Sequence, residues 1–120
     1  MSSESKYYIH AVLLEDCIYS NKAFELLQLN GIRNQIQRVN YINKNKYKLP
    51  NYNTFPQIFL KKEGSNDSLF LGGTSDLNDI INIFKYNKYN DESIDKFQMK
   101  YNWWSKKAIL RLIQLINKKI

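Results

Sequence analysis

The sequence is poor in the residues that staple, break or anchor a chain. It holds one cysteine, two prolines, four glycines and one histidine in 120 residues. One cysteine excludes an intramolecular disulfide, and with it any disulfide framework. One histidine leaves no Cys/His cluster with metal-ligand spacing, so no metal site is expected and His10 reads as a strand residue. Every apolar run is interrupted within a few residues by Lys, Arg, Asn or Gln, which predicts no transmembrane segment. No secretory h-region stands near the first residue. With the lone cysteine this predicts a reducing, cytoplasmic compartment and leaves a place in a larger assembly open.

Acids are missing from one region only. The net charge is +7, yet residues 1–86 carry ten Lys and Arg against eight Asp and Glu, and residues 87–99 two against three. Residues 100–120 carry six cations and no acid. A domain that bound nucleic acid through its main body would spread cations over that body. Nucleic acid is therefore not an expected partner.

What is present is a regular alternation of elements. "YYIHAVLL" (7–14) is β-branched and aromatic, apolar on both faces, and predicts a central first strand. "NKAFELLQLNG" (21–31) has a helical apolar stripe with Gly31 placed as C-terminal cap. "NQIQRVNYI" (34–42) reads as a second strand, and residues 43–53 as a loop with at most a short helix. "TFPQIFLKK" (54–62), the turn "EGSND" and "SLFLGG" (68–73) read as a strand hairpin. "TSDLNDIINIFK" (74–85) opens with Thr74 and Ser75 as N-cap residues and continues at helical spacing. The order βαβ then ββα predicts a four-stranded mixed sheet with helices on its faces.

Three local features carry chemistry. Cys17, between the first strand and the first helix, is either a small buried hydrophobe or a thiolate favoured by the helix N-terminus. Glu15 and Asp16 beside it oppose the thiolate. A proline opening a strand, as in "TFP", cannot donate to the ladder, and X–Pro is the bond at which cis costs least. A cis bond would present the Phe55 N–H and C=O to an extended peptide. "GGTSD" (72–76) allows close backbone approach, and the Ser75 and Asp76 N–H groups suit a carboxylate.

In this order the three features resemble the glutaredoxin family. "CIYS" stands where members have C-x-Y-C or C-x-Y-S, "TFPQIF" where they have the T-V-P strand, and "LGGTSDL" where they have G-G-x-S-D-L. The resemblance covers roughly residues 7–86. It implies a thioredoxin-like α/β fold and glutathione-dependent thiol–disulfide exchange, with glutathione as co-substrate and glutathionylated proteins as partners. It implies Cys17 as nucleophile with Tyr19 and Ser20 as active-site neighbours. Glutathione would be held by Lys22, by Phe55 and cis Pro56 through the main chain, and by Thr74, Ser75 and Asp76 at its γ-glutamyl end. Ser20 replaces the second cysteine of dithiol members, so only a monothiol route, protein deglutathionylation, remains.

Four positions depart from the family pattern. Ile18 replaces the usual proline after the cysteine. Leu14 replaces a lysine that contacts the glycine carboxylate of glutathione, and Glu15 and Asp16 add two anions near an anionic ligand. Weaker glutathione binding is the expectation, with Lys44, Lys46 or Lys48 as candidates to compensate. Members that assemble iron–sulfur clusters carry C-G-F-S, whereas Ile18 and Tyr19 fill the middle positions here.

Residues 87–120 read as a basic amphipathic helical extension. Ile94, Phe97, Met99 or Tyr101, and the Trp103–Trp104 pair suggest one helix packed on the domain. Ser105 caps a second, "KKAILRLIQLINKKI", whose polar stripe Lys107, Arg111, Gln114 and Lys118 leaves a wide apolar face. That face has three uses, in descending order: docking on its own domain, a protein partner or self-association through residues 100–120, and an acidic membrane surface. The functional alternative is a structural or assembly protein that keeps a thioredoxin-like scaffold with weak or lost redox activity, attached through this helix. A glutathione-transferase-like protein is disfavoured, because the extension is too short for that family's helical second domain.

Overall fold

Tyr7–Leu14 forms β1, the strand around which the sheet is built, and its residues bury on both faces. The computed structural model describes residues 7–66, 68–86 and 90–117. β2 (Asn34–Val39) lies parallel to β1, from Ile9↔Asn34 to Leu14↔Val39. β3 (Gln57–Lys62) lies antiparallel on the other side, from Tyr7↔Lys62 to Val12↔Gln57, and β4 (Ser68–Gly72) pairs antiparallel with β3. The order is β2-β1-β3-β4, a thioredoxin-like mixed sheet.

Helices α1 (Ile18–Leu29), α2 (Lys44–Tyr47), α3 (Thr74–Ile81), α4 (Asp91–Lys100) and α5 (Lys106–Asn117) complete the described chain. Because side chains alternate along a strand, β1 feeds two cores. Ile9, Ala11 and Leu13 join Ile58, Leu60, Leu71 and the apolar sides of α1 and α3 in the larger one. Val12 and Leu14 point the other way and join Val39 and Phe55 in a smaller one.

The elements depart from the sequence expectation at their ends, for local reasons. β2 stops at Val39 because the Asn40 side chain accepts the Ile42 and Asn43 N–H groups at 3.0 and 2.9 Å, while Asn43 Oδ1 accepts the Asn40 N–H at 2.9 Å. Such side-chain turns offer the backbone an alternative to the ladder. β3 begins at Gln57, after a cis Phe55–Pro56 bond. The expected cap Gly31 has φ 60, the left-handed conformation that closes α1. α3 ends at Ile81 and passes into a π-helical turn, Asn82–Tyr86, where Lys85 Nζ donates to the Asn30 carbonyl at 2.9 Å beside the end of α1.

The extension docks on its own domain. Ile94, Phe97, Tyr101, Trp104, Ile109, Leu112, Ile113, Leu115 and Ile116 all belong to the larger core. Phe97 touches Phe84 (4.8 Å between ring centroids) and Tyr101 (4.6 Å), and Tyr101 stacks on Trp104 at 4.6 Å. Burying each of these side chains stabilises the fold by about 1.5–3 kcal/mol. The indole N–H groups of Trp103 and Trp104 both donate to the Phe70 carbonyl in β4, at 3.0 and 3.1 Å. Ser105 Oγ accepts the Ala108 N–H at 3.1 Å, the expected cap of α5. The apolar side of α5 is thus used within the chain; of the polar stripe, Lys118 lies outside the described residues.

Candidate active site

Cys17 is the N-cap residue of α1 (φ −107, ψ 122), with no side-chain capping bond of its own. It follows Asp16, whose φ of 58 is left-handed, a conformation that aspartate tolerates better than most residues. The turn is tied down by the Glu15 N–H, which donates to the Val39 carbonyl at 2.8 Å. Glu15 and Asp16 are exposed, and the thiol is half-buried against Val12, Leu14, Val39 and Phe55.

Burial pushes the Cys17 thiol up, but the Ser20 N–H, the Ser20 hydroxyl and the Tyr19 N–H outweigh it and hold the thiol below its ordinary value. Donors at a helix N-terminus favour a thiolate in this way. Ser20 is fully buried, and its Oγ also accepts the Leu14 N–H at 3.0 Å. One hydroxyl therefore links the end of β1 to the sulfur environment. Ser20 has no thiol to close a disulfide, which restricts exchange at Cys17 to intermolecular partners.

The second and third motifs meet the first. Phe55 lies in the Cys17 cluster, and the Phe55–Pro56 bond is cis. A Cβ on Gly73 would lie 3.3 Å from the Tyr52 hydroxyl and 3.6 Å from the Pro56 carbonyl, so the glycine lets the start of α3 approach the proline turn. Thr74 Oγ1 donates to the Tyr19 carbonyl at 2.6 Å and fastens α3 to the first turn of α1. Gln57 completes the frame: its amide nitrogen donates to the Tyr52 and Thr54 carbonyls at 2.8 and 3.2 Å, and its oxygen accepts the Leu49 N–H at 2.9 Å.

Some residues take roles other than those expected. Gly73, not Thr74 or Ser75, is the N-cap of α3, and Asp76 Oδ2 accepts the Gly73 N–H at 2.8 Å. Thr74 spends its hydroxyl on Tyr19, since the first turn of α1 lies within its reach. Asp76 Oδ1 accepts the Tyr101 hydroxyl at 2.7 Å, so both carboxylate oxygens are engaged inside the chain. Tyr19, Lys22 and Ser75 are exposed. Leu14 is buried in the apolar wall beside Cys17, so position 14 presents hydrocarbon and no cation. The lysines of the following connection engage near neighbours: Lys44 lies over the Tyr41 ring at 4.6 Å, Lys46 over Tyr47 at 5.7 Å, and Lys48 donates to the Leu49 carbonyl at 3.3 Å.

Sequence reasoning missed Tyr101 and Tyr52. Tyr101 appeared only as a packing residue one turn beyond Phe97; nothing local marks a phenol that reaches a carboxylate 25 residues away. No three His, Cys, Asp or Glu side chains cluster in a metal-binding arrangement among the described residues. None of the described helices is long and apolar enough to cross a membrane. No family model matches the chain, and neither does any curated protein.

Proposed function

We propose that the protein is a glutaredoxin-type, glutathione-dependent thiol–disulfide oxidoreductase that works by a monothiol route. The observation that carries this reading is the setting of Cys17: a half-buried thiol at the N-terminus of α1, held below its ordinary pKa by Ser20 and Tyr19 and packed against Phe55 of the cis-proline turn. The Cys17 thiolate attacks the glutathionyl sulfur of a mixed disulfide. A Cys17–glutathione disulfide forms, the original S–S bond breaks, and the partner leaves as a thiolate that takes a proton from solvent. A second glutathione thiolate then attacks the glutathionyl sulfur, releasing oxidised glutathione and restoring the Cys17 thiolate. The main chain of Phe55–Pro56 and the first turn of α3, with Thr74, Ser75 and Asp76, form the ligand-side wall, and Tyr19 and Lys22 stand on its rim.

The test mixes reduced protein, glutathione and a glutathionylated small disulfide and follows release of oxidised glutathione, with Cys17→Ser as control. Wild type turns over and the variant does not. Indistinguishable rates overturn the proposal.

A second reading is favoured by one observation, the engagement of both Asp76 oxygens within the chain. In it the protein is a thioredoxin-like scaffold for assembly with weak or lost redox chemistry. Attachment would then use a surface other than the apolar side of α5, because Ile109, Leu112, Ile113, Leu115 and Ile116 are buried. A glutathione adduct at Cys17, sought by intact mass after mild exposure to oxidised glutathione, separates the two.

A further inference from the structure

At the end of β1 remote from Cys17, a cleft of about 440 Å³ opens between the β3–β4 hairpin and the start of α5. Its volume falls in the range of small-molecule sites, roughly 300–1,000 Å³. Leu60 and Leu69 supply apolar surface, and Tyr7 and Trp103 supply aromatic surface. Lys62, Lys107 and Arg111 line it with no carboxylate among the lining residues.

Two of these cations share one aromatic neighbour and have no carboxylate among the residues that line the cleft. Lys62 Nζ and the Arg111 guanidinium each lie 5.8 Å from the centroid of the same ring, Tyr7. Among the described residues neither forms an ion pair. Two cations outside the cleft are matched, Arg33 with Glu63 and Lys106 with Asp95. Arg111 Nη1 donates to Gln114 at 3.1 Å, while its Nε–H is shielded from water and has no acceptor. A buried guanidinium donor without an acceptor leaves the Arg111 charge under-satisfied within the chain, which favours an anion beside its accessible edge. Trp103 is 54 % exposed, yet its N–H is fixed to Phe70, so the indole is a rigid, open plate at the cleft.

We propose that this cleft binds a small phosphorylated ligand, its phosphoryl group held by Lys62 and Arg111 and its apolar or aromatic body lying on Trp103. The N-terminus of α5, with Lys107, adds positive potential at the same mouth. A nucleic-acid strand is the poorer occupant. The body of the domain is nearly neutral, and Lys61, which also lines the cleft, places its ammonium over the Phe59 ring at 5.9 Å.

The experiment titrates the full chain with adenosine monophosphate, pyrophosphate, adenosine and a ten-nucleotide single strand, read by calorimetry and by Trp emission. Adenosine monophosphate saturates one site, and adenosine binds about tenfold more weakly or not at all. Pyrophosphate equal to the nucleotide assigns the site to free phosphates; a tighter nucleotide assigns it to phosphorylated aromatics. Lys62→Gln and Lys107→Gln, both at exposed positions, each weaken binding severalfold, and Arg111→Gln weakens it about tenfold. Equal affinity for adenosine and its monophosphate, affinity unmoved by Lys62→Gln, or a strand bound tenfold tighter than the mononucleotide overturns the proposal. Cys17→Ser binds as wild type does.

Discussion

Tyr101 donates its phenolic hydrogen to Asp76 at 2.7 Å, and so the segment after α4 is latched to the first turn of α3. Burial first, then the Asp76 bond and the charges of Asp76 and Asp79, push this phenol well above its ordinary value. Tyr101→Phe keeps the ring contacts with Phe97 and Trp104 and removes only the latch. Stability in urea should fall by about 1.5–3 kcal/mol, as for a hydrogen bond to a charged group. In the glutathione assay KM should rise with kcat kept, since Tyr101 positions Asp76 and lies off the reacting atoms. An unchanged urea midpoint means the latch contributes nothing.

Ser20→Ala tests the sulfur environment. The variant loses the acceptor of the buried Leu14 N–H, at a cost of about 1–3 kcal/mol, and loses one of the donors that lower the Cys17 thiol. The pH midpoint for alkylation of Cys17 by iodoacetamide should move up, and the rate near neutrality should fall. A midpoint that stays in place would assign the effect to the main-chain donors alone.

Two glycines make a paired test. Gly72 has φ 126, and a Cβ there would stand 2.1 Å from Asp76 Oδ2. Gly64 has φ 73 with nothing within 4 Å of such a Cβ. Gly64→Ala should cost only the left-handed conformation, about 1 kcal/mol. Gly72→Ala should cost clearly more, about 3 kcal/mol or greater, because the carboxylate that caps α3 has to move. Equal losses by thermal or urea unfolding would disprove the role given to that close approach.

His10 sets a pH dependence. Burial first, and then the Lys61 charge, lower its pKa from 6.5, with a smaller opposing pull from the Gln37 and Gln35 side chains. The unfolded chain therefore binds the proton more readily than the native one. Stability is fully present above pH 6.5 and is lost as the pH falls toward the native value. Urea midpoints between pH 8 and pH 5 should show this decline, and His10→Gln should reduce the slope in that window. His10 is the one histidine of the sequence, which makes the window diagnostic.

Much of this molecule was legible in the chain because its signals are local. The two-faced apolar run of β1, the hairpin turn, Gly31 and Ser105 each fix a backbone state within a few residues. The ends of β2 and β3 were not legible, because side-chain bonds of Asn40, Asn43 and Gln57 compete with ladder pairing. The thiol, the cis-proline turn and the α3 N-terminus could be named in sequence. The bonds that join them, Thr74 to Tyr19 and Tyr101 to Asp76, span 55 and 25 residues and have no local signature.

The Phe70 carbonyl, occupied by two indoles, also decides how copies of this chain can associate. Phe70 is the middle residue of β4, so an incoming backbone would find the central acceptor of that strand already engaged. β2 forms the other border of the sheet. Edge pairing at β4 would have to displace both indoles, which makes β2 the easier border for a second copy. A contact there would use the same patch on both copies and close at two, so edge pairing through β2 would add no further copies.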